Sequence, residues 1–176
     1  LPLWLEGFGG RLGAEVREVV ASDLDLTGLF DLVGPAEAQV RLQVTVRAGD
    51  GPLEVTARLE DLVRGRTLWE RRLRGEDLRE LGHRLSGEVY RSLTGKRGFF
   101  LSKIAFVSRV DGHREVFLAD FDGHRRRRLT FHRSYVLCPA LSPDGRWLAF
   151  ISFRDGRPAL YLRDLQSGKE WRPLRL

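Results

Sequence analysis

Ile104-Ala105-Phe106-Val107-Ser108 and Leu148-Ala149-Phe150-Ile151-Ser152 are two versions of one short strand, 44 residues apart. The residues downstream of each also recur at that offset. Asp111-Gly112 matches Asp155-Gly156, and Val116-Phe117-Leu118 with Asp120 matches Leu160-Tyr161-Leu162 with Asp164. A period of about 40–45 residues with several strands per unit marks the blades of a β-propeller. Asp-Gly pairs between the apolar runs suit hairpin loops, because both residues tolerate positive φ. Ser142-Pro143-Asp144-Gly145 is a tight turn: Pro presets φ and Gly frees the residue after it. Trp147 to Ile151 then reads as a strand buried on both faces. Asp122-Gly123 and Ser167-Gly168 turn each unit toward an outer strand.

Upstream the pattern changes. Residues 1–5 read as a short buried strand, and Gly7, Gly9, Gly10 and Gly13 turn the chain into a helix. Leu12, Val16, Val19, Val20 and Leu24 give that helix one apolar face, and Thr27-Gly28 ends it. Val40, Leu42, Val44 and Val46 alternate with polar residues, as a half-buried strand does. Gly49-Asp50-Gly51-Pro52 turns the chain into a second alternating run, Leu53, Val55, Ala57 and Leu59, and residues 67–73 form a third strand. Asp77 caps a second helix, with Glu80 three residues on as reciprocal partner. Its buried stripe is Leu78, Leu81, Leu85, Val89 and Leu93, weakened by Gly82 and Gly87. Two amphipathic helices need a sheet to cover. The expected architecture is therefore an α+β domain of order β-α-β-β-β-α over residues 1–94. A linker comes next at 95–100, then two propeller repeats within 101–176, at about 103–130 and 141–174.

The 176 residues carry 30 Lys+Arg against 24 Asp+Glu. The excess is uneven: residues 1–98 hold 15 basic and 16 acidic side chains, residues 99–176 hold 15 and 8. A basic second half suits an acidic partner or a solubilising surface. Residues 125–128 are all arginine, and alternate positions on a strand face opposite ways, so at most half could address one partner. No aromatic interrupts that run, which argues against single-stranded nucleic acid. The lone Cys138, beside Pro139, excludes an internal disulfide and reads as a small buried apolar residue. The sequence contains no Met, so Leu1 is not a natural start. No apolar run reaches the roughly 18 residues that span a bilayer, and direct membrane insertion is not expected.

Catalytic chemistry finds no constellation. There is no Gly-x-Ser-x-Gly elbow and no phosphate-loop Gly-Lys-Ser/Thr, and Leu12 breaks the dinucleotide fingerprint begun by Gly7-Phe8-Gly9-Gly10. His83, His113, His124 and His132 have no zinc-ligand spacing. No catalytic residue, cofactor site or metal site is expected.

Several stretches resemble the TolB family. Leu93-Thr94-Gly95-Lys96-Arg97-Gly98-Phe99-Phe100, with Lys103 to Ser108, looks like the junction between that family's two domains. Leu118-Ala119-Asp120-Phe121-Asp122-Gly123 running to Arg128-Leu129-Thr130, and Leu141-Ser142-Pro143-Asp144-Gly145 before Leu148-Ala149-Phe150, resemble its propeller signature. Val20-Ala21-Ser22-Asp23-Leu24 with Thr27-Gly28-Leu29-Phe30 resembles its first helix. The resemblance implies a non-catalytic periplasmic scaffold of the Tol-Pal cell-envelope system, with roles in outer-membrane integrity and in constriction at division. It implies two partners: the peptidoglycan-associated lipoprotein Pal at one propeller face, and a TolA-like protein at an N-terminal segment. The family's loops that lead into each blade line the Pal face. Here that loop contains His132, Arg133, Ser134 and Tyr135. His132 and Arg133 are the expected contacts, with Ser134 as an adaptable neighbour.

The chain departs from the family in three respects. The connection from Phe30 to Val40 is short, no TolA-binding segment precedes Leu1, and two repeats fall below the about 4–8 blades of a closed propeller. A truncated or open propeller is therefore expected. The competing reading is a propeller accessory domain of a serine peptidase of the prolyl oligopeptidase class, which the N-terminal α/β order opposes.

Overall fold

Alternating apolar residues give the first half a sheet with one face to bury, and two helices bury it. The computed structural model describes residues 1–49 and 51–174 and divides into two units, Leu1–Leu101 and Ser102–Leu176. Asp50, in the turn expected at 49–52, lies outside the described residues.

In the first unit the strands are β1 (Pro2–Glu6), β2 (Asp31–Leu32), β3 (Val40–Arg47), β4 (Leu53–Asp61) and β5 (Arg66–Gly75). Helix α1 (Gly10–Asp25) follows β1, and α2 (Leu78–Thr94) follows β5. The sheet order is β2-β1-β3-β4-β5, with β1 parallel to β2 and β3 and the other pairs antiparallel. A parallel β1–β3 pair cannot be joined by a hairpin, and α1 lies in the crossover. Leu3, Leu5, Leu42, Val44, Val55, Ala57 and Leu59 are buried on the sheet, as are Val16, Val19, Val20 and Leu24 on α1 and Leu81, Leu85 and Val89 on α2.

The order is thus β-α-β-β-β-β-α, one strand more than β-α-β-β-β-α. The extra strand, β2, is two residues long and exposed, so it carries no alternation to read. Backbone bonds hold it: Asp31 N–H to Leu1 O at 3.0 Å and Val33 N–H to Leu3 O at 3.1 Å.

The Asp77 carboxylate accepts from the Arg79 and Glu80 N–H groups at 2.9 and 3.2 Å, capping α2 as expected. Gly82 has a use that propensity hides. A Cβ there would lie 2.8 Å from a Val19 methyl, so the glycine lets α1 and α2 close on each other. Between the same helices, buried Asp23 and His83 form a hydrogen bond of 2.8 Å.

Gly7, which leaves β1, has φ +93°, and a Cβ there would sit 2.4 Å from the Val44 carbonyl oxygen. Gly7→Ala is expected to destabilise this unit by about 2 kcal/mol through left-handed strain plus overpacking. Urea titration followed by circular dichroism measures the shift in midpoint.

The second unit holds two antiparallel sheets. β6 (Lys103–Val110), β7 (His113–Asp120) and β8 (Arg127–Arg128) form the first. β9 (Val136–Leu141), β10 (Trp147–Ser152), β11 (Ala159–Asp164) and β12 (Glu170–Trp171) form the second, in the order β12-β11-β10-β9. The 44-residue repeat is visible in the register: Phe106 pairs with Phe117, and Phe150 pairs with Tyr161. Val116, Leu118 and Leu129 of the first sheet and Val136, Leu148, Phe150, Ala159 and Tyr161 of the second make one core. The two sheets are of propeller type and do not close into a ring.

Three details differ from the expectation. β9 occupies what reads as a connecting loop, because a bulge at Cys138 (φ +51°) and the missing N–H of Pro139 erase its alternation. Cys138 is exposed rather than buried. β10 is covered on one face only: Leu148, Phe150 and Ser152 are buried, whereas Trp147, Ala149 and Ile151 are half-buried.

Candidate protein-binding surface

Glu115 on β7 organises the segment that joins the two sheets. Its side chain is fully buried, and a buried carboxylate is tolerated only when its oxygens are satisfied. Four donors meet it: Thr130 Oγ1 at 2.5 Å, the Arg128 guanidinium at 2.8 Å, and the N–H groups of His132 and Arg133 at 3.2 and 2.8 Å. Two backbone donors from consecutive residues fix the start of the loop, and Arg133 takes φ +50° there. The Arg114 N–H donates to Ser134 O at 3.1 Å, and the Phe153 N–H to Tyr135 O at 3.0 Å. The loop is therefore fastened at every residue from 132 to 135.

His132 turns inward. Its side chain is 6% exposed, and its ring lies 5.4 Å from those of both Phe150 and Tyr161. Nδ1 is 2.7 Å from Ser152 Oγ and Nε2 is 2.8 Å from Glu170 Oε1. Ser152 Oγ also accepts the Arg154 N–H at 3.2 Å, and Arg154 Nη1 lies 3.1 Å from His132 Nε2. Arg154 completes the cluster, 2.5 Å from Glu170 Oε1 and 4.3 Å from the Tyr161 ring centroid.

Ser152, His132 and Glu170 are the residue types of a hydrolytic triad in hydrogen-bonded sequence. Ser152 is fully buried, so no acyl group reaches its hydroxyl. The chain of bonds ties the loop to β10 and β12 instead.

The side chains left outside are aromatic and cationic. Phe131 is 66% exposed and Tyr135 60%, with exposed Arg133 between them. Arg128 stacks over Phe131 at 4.4 Å and Arg114 over Tyr135 at 5.4 Å. Rigidly held aromatics and Arg are the side chains that anchor protein interfaces. Of the four residues singled out by sequence, Arg133 and Tyr135 face solvent, Ser134 is half-buried, and the His132 side chain is buried against Ser152 and Glu170. Phe131 joins the surface in its place. The arginine run does not alternate as a four-residue strand would: only Arg127 and Arg128 lie in a strand, Arg128 turns to Glu115 and Phe131, and residues 125–127 are all exposed.

Acid should loosen this assembly. Burial opposes ionisation of Glu115, but the bonds from Thr130, Arg133, His132 and Arg128 outweigh it and hold its carboxyl below the ordinary value. Burial likewise opposes Glu170, and His132 with Arg154 and Arg163 again outweigh it. A lowered carboxyl pKa gives stability that is complete above the unfolded value and lost as pH falls through the folded one. The second unit should therefore unfold more readily below about pH 4 and keep its stability from there to neutrality. Thermal unfolding followed by tryptophan fluorescence across that range measures it; a flat profile contradicts it.

Residues 90–172 match a family described as "TolB beta propeller domain". A "Protein TolB homolog" of Chlorobium chlorochromatii is 34% identical over 190 residues, covering 94% of this chain and 43% of that protein. A "Tol-Pal system protein TolB" of Desulfosudis oleivorans is 37% identical over 153 residues, covering 86% of this chain and 34% of that protein. The crystal structure of TolB from Acinetobacter baumannii superposes with a TM-score of 0.88 at 24% identity, over 97% of this chain and 48% of that one. The chain spans less than half the length of these relatives.

Proposed function

This chain belongs to the TolB family, and we propose that it is a non-catalytic protein-binding scaffold of the Tol-Pal cell-envelope system, working in the periplasm. The observation that carries this reading is the similarity of both units together, at 34% identity over 94% of the chain, to a TolB homologue. A peptidase accessory domain would have no need of the α/β unit, and that unit lies within the superposition on TolB. Among the described residues no helix is long and apolar enough to cross a membrane.

In this reading the braced surface of Phe131, Arg133 and Tyr135 meets the peptidoglycan-associated lipoprotein Pal. A TolA-like protein is the second partner, and the pair serves outer-membrane integrity and envelope constriction at division. Catalysis is not required: the surface offers two aromatic faces and a guanidinium, which suit recognition of a partner rather than bond-making. Hydrogen exchange with and without the soluble domain of Pal tests it. Slowed exchange within residues 131–136 supports the reading; slowing confined to the first unit would move the Pal contact elsewhere.

A further inference from the structure

Two arginines of the first sheet stand directly opposite each other. Arg109, near the end of β6, pairs with Arg114, near the start of β7. Side chains so placed share one face of the sheet with Cβ atoms about 4.5–5.5 Å apart, and like charges there repel. Among the described residues neither guanidinium lies within 4.0 Å of a carboxylate oxygen. The adjacent acid, Glu115, points to the opposite face and is taken up by Arg128 and Thr130. The arginine pair lies on the face that packs on the second sheet: Val116 and Leu118, the next residues of β7 on that face, belong to the shared core. It therefore marks the rim of that core, beside the blade-entry loop. The Arg114 N–H donates to Ser134 O at 3.1 Å, and the Arg114 guanidinium lies over Tyr135 at 5.4 Å. Exposed Arg133, just before Ser134, likewise meets no carboxylate among the described residues. Three arginines thus border Tyr135 with no acid to neutralise them.

We propose that Arg109, Arg114 and Arg133 form a clasp for an acidic segment of a protein partner, whose carboxylates seat beside Tyr135. The inference rests on the reading of this surface as a protein-binding one and adds the chemistry of what it binds. A surface that only solubilises intersperses its charges, whereas two like charges set opposite each other cost stability that an incoming carboxylate would offset. The planar guanidinium presents N–H donors in a fork that matches a carboxylate, and stacking on Tyr135 fixes the direction of the Arg114 fork. Donors fixed in this way favour carboxylates spaced along a polypeptide over the mobile head groups of an anionic lipid. The excess of 15 basic over 8 acidic side chains in residues 99–176 draws the same class of partner from a distance.

Fluorescence anisotropy with a labelled hexaglutamate peptide at low ionic strength tests this on the 176-residue chain. Wild type should bind saturably, and an Arg109→Gln, Arg114→Gln double variant should bind about tenfold more weakly. Arg109→Glu should lose the peptide yet raise the urea midpoint of the second unit, since it turns a repulsive cross-strand pair into an attractive one. A merely solubilising pair would not couple those two readouts. Circular dichroism checks that each variant is folded, and Arg109→Gln alone carries the test should the double variant fail to fold. Unchanged peptide binding in these variants, no binding by the wild type, or an Arg109→Glu midpoint that does not rise would each overturn the proposal. Phosphatidylglycerol vesicles bound more tightly than the peptide, and released by the same substitutions, would overturn it in favour of an anionic lipid. Failure of the soluble domain of Pal to bind a chain that holds the peptide would keep the clasp and remove Pal as its occupant.

Discussion

Replacing Glu115 by Ala is expected to destabilise the second unit by about 3–5 kcal/mol, the usual cost of removing one member of a buried ion pair. The loss leaves the Arg128 guanidinium without its carboxylate, and it strips acceptors from the Thr130 hydroxyl and from two consecutive backbone N–H groups. Glu115→Gln is a gentler probe. It keeps one oxygen but offers an NH2 where at least one donor already points, so it should fall between wild type and Ala. Denaturant titration compares the three. In both variants residues 131–135 should also exchange their amide protons faster than in the wild type, since the carboxylate is what pins the start of that loop.

His132→Ala is expected to cost about 2–4 kcal/mol by a different route. The ring fills space beside Phe150 and Tyr161, so its removal opens a cavity in the core of the second sheet. It also removes hydrogen bonds to Ser152 and Glu170. His132→Gln, which can reach one of the two partners, should recover part of the loss. The same substitution discriminates support from contact: at temperatures where both proteins stay folded, His132→Gln should bind a partner nearly as well as wild type. A large loss of affinity with intact stability would return His132 to the binding surface.

Much of the fold is legible in the sequence because repeats and alternation are local properties. The 44-residue offset, the Asp-Gly turns and the Asp77 cap each come from residue types at fixed spacing, and the structure bears them out. The elements that escape depend on distant partners. β2 is a strand only because Leu1 and Leu3 offer it backbone oxygens. β9 is a strand because β10 lies beside it, although Cys138 and Pro139 interrupt its pattern. The candidate surface is half legible. The loop is identifiable from its place before the second blade, but nothing in the sequence reveals which way His132 points. Its partners lie 20 and 38 residues downstream, and Glu115, which shapes the loop, lies 17 residues upstream of it. A buried glutamate in a strand of apolar neighbours is the one readable signal: Glu115 precedes Val116-Phe117-Leu118, where Ala159 stands in the second repeat.

If this chain is a Tol-Pal scaffold, its exposed aromatic and arginine side chains hold a lipoprotein partner. Calorimetric titration of the soluble domain of Pal into the folded chain, and into Arg133→Ala and Tyr135→Ala variants, tests this most directly. Saturable binding by the wild type is expected, weakened by about 1–2 kcal/mol in each variant, roughly five- to thirtyfold in dissociation constant. Absence of binding by a folded wild type, or unchanged affinity in both variants, would contradict it.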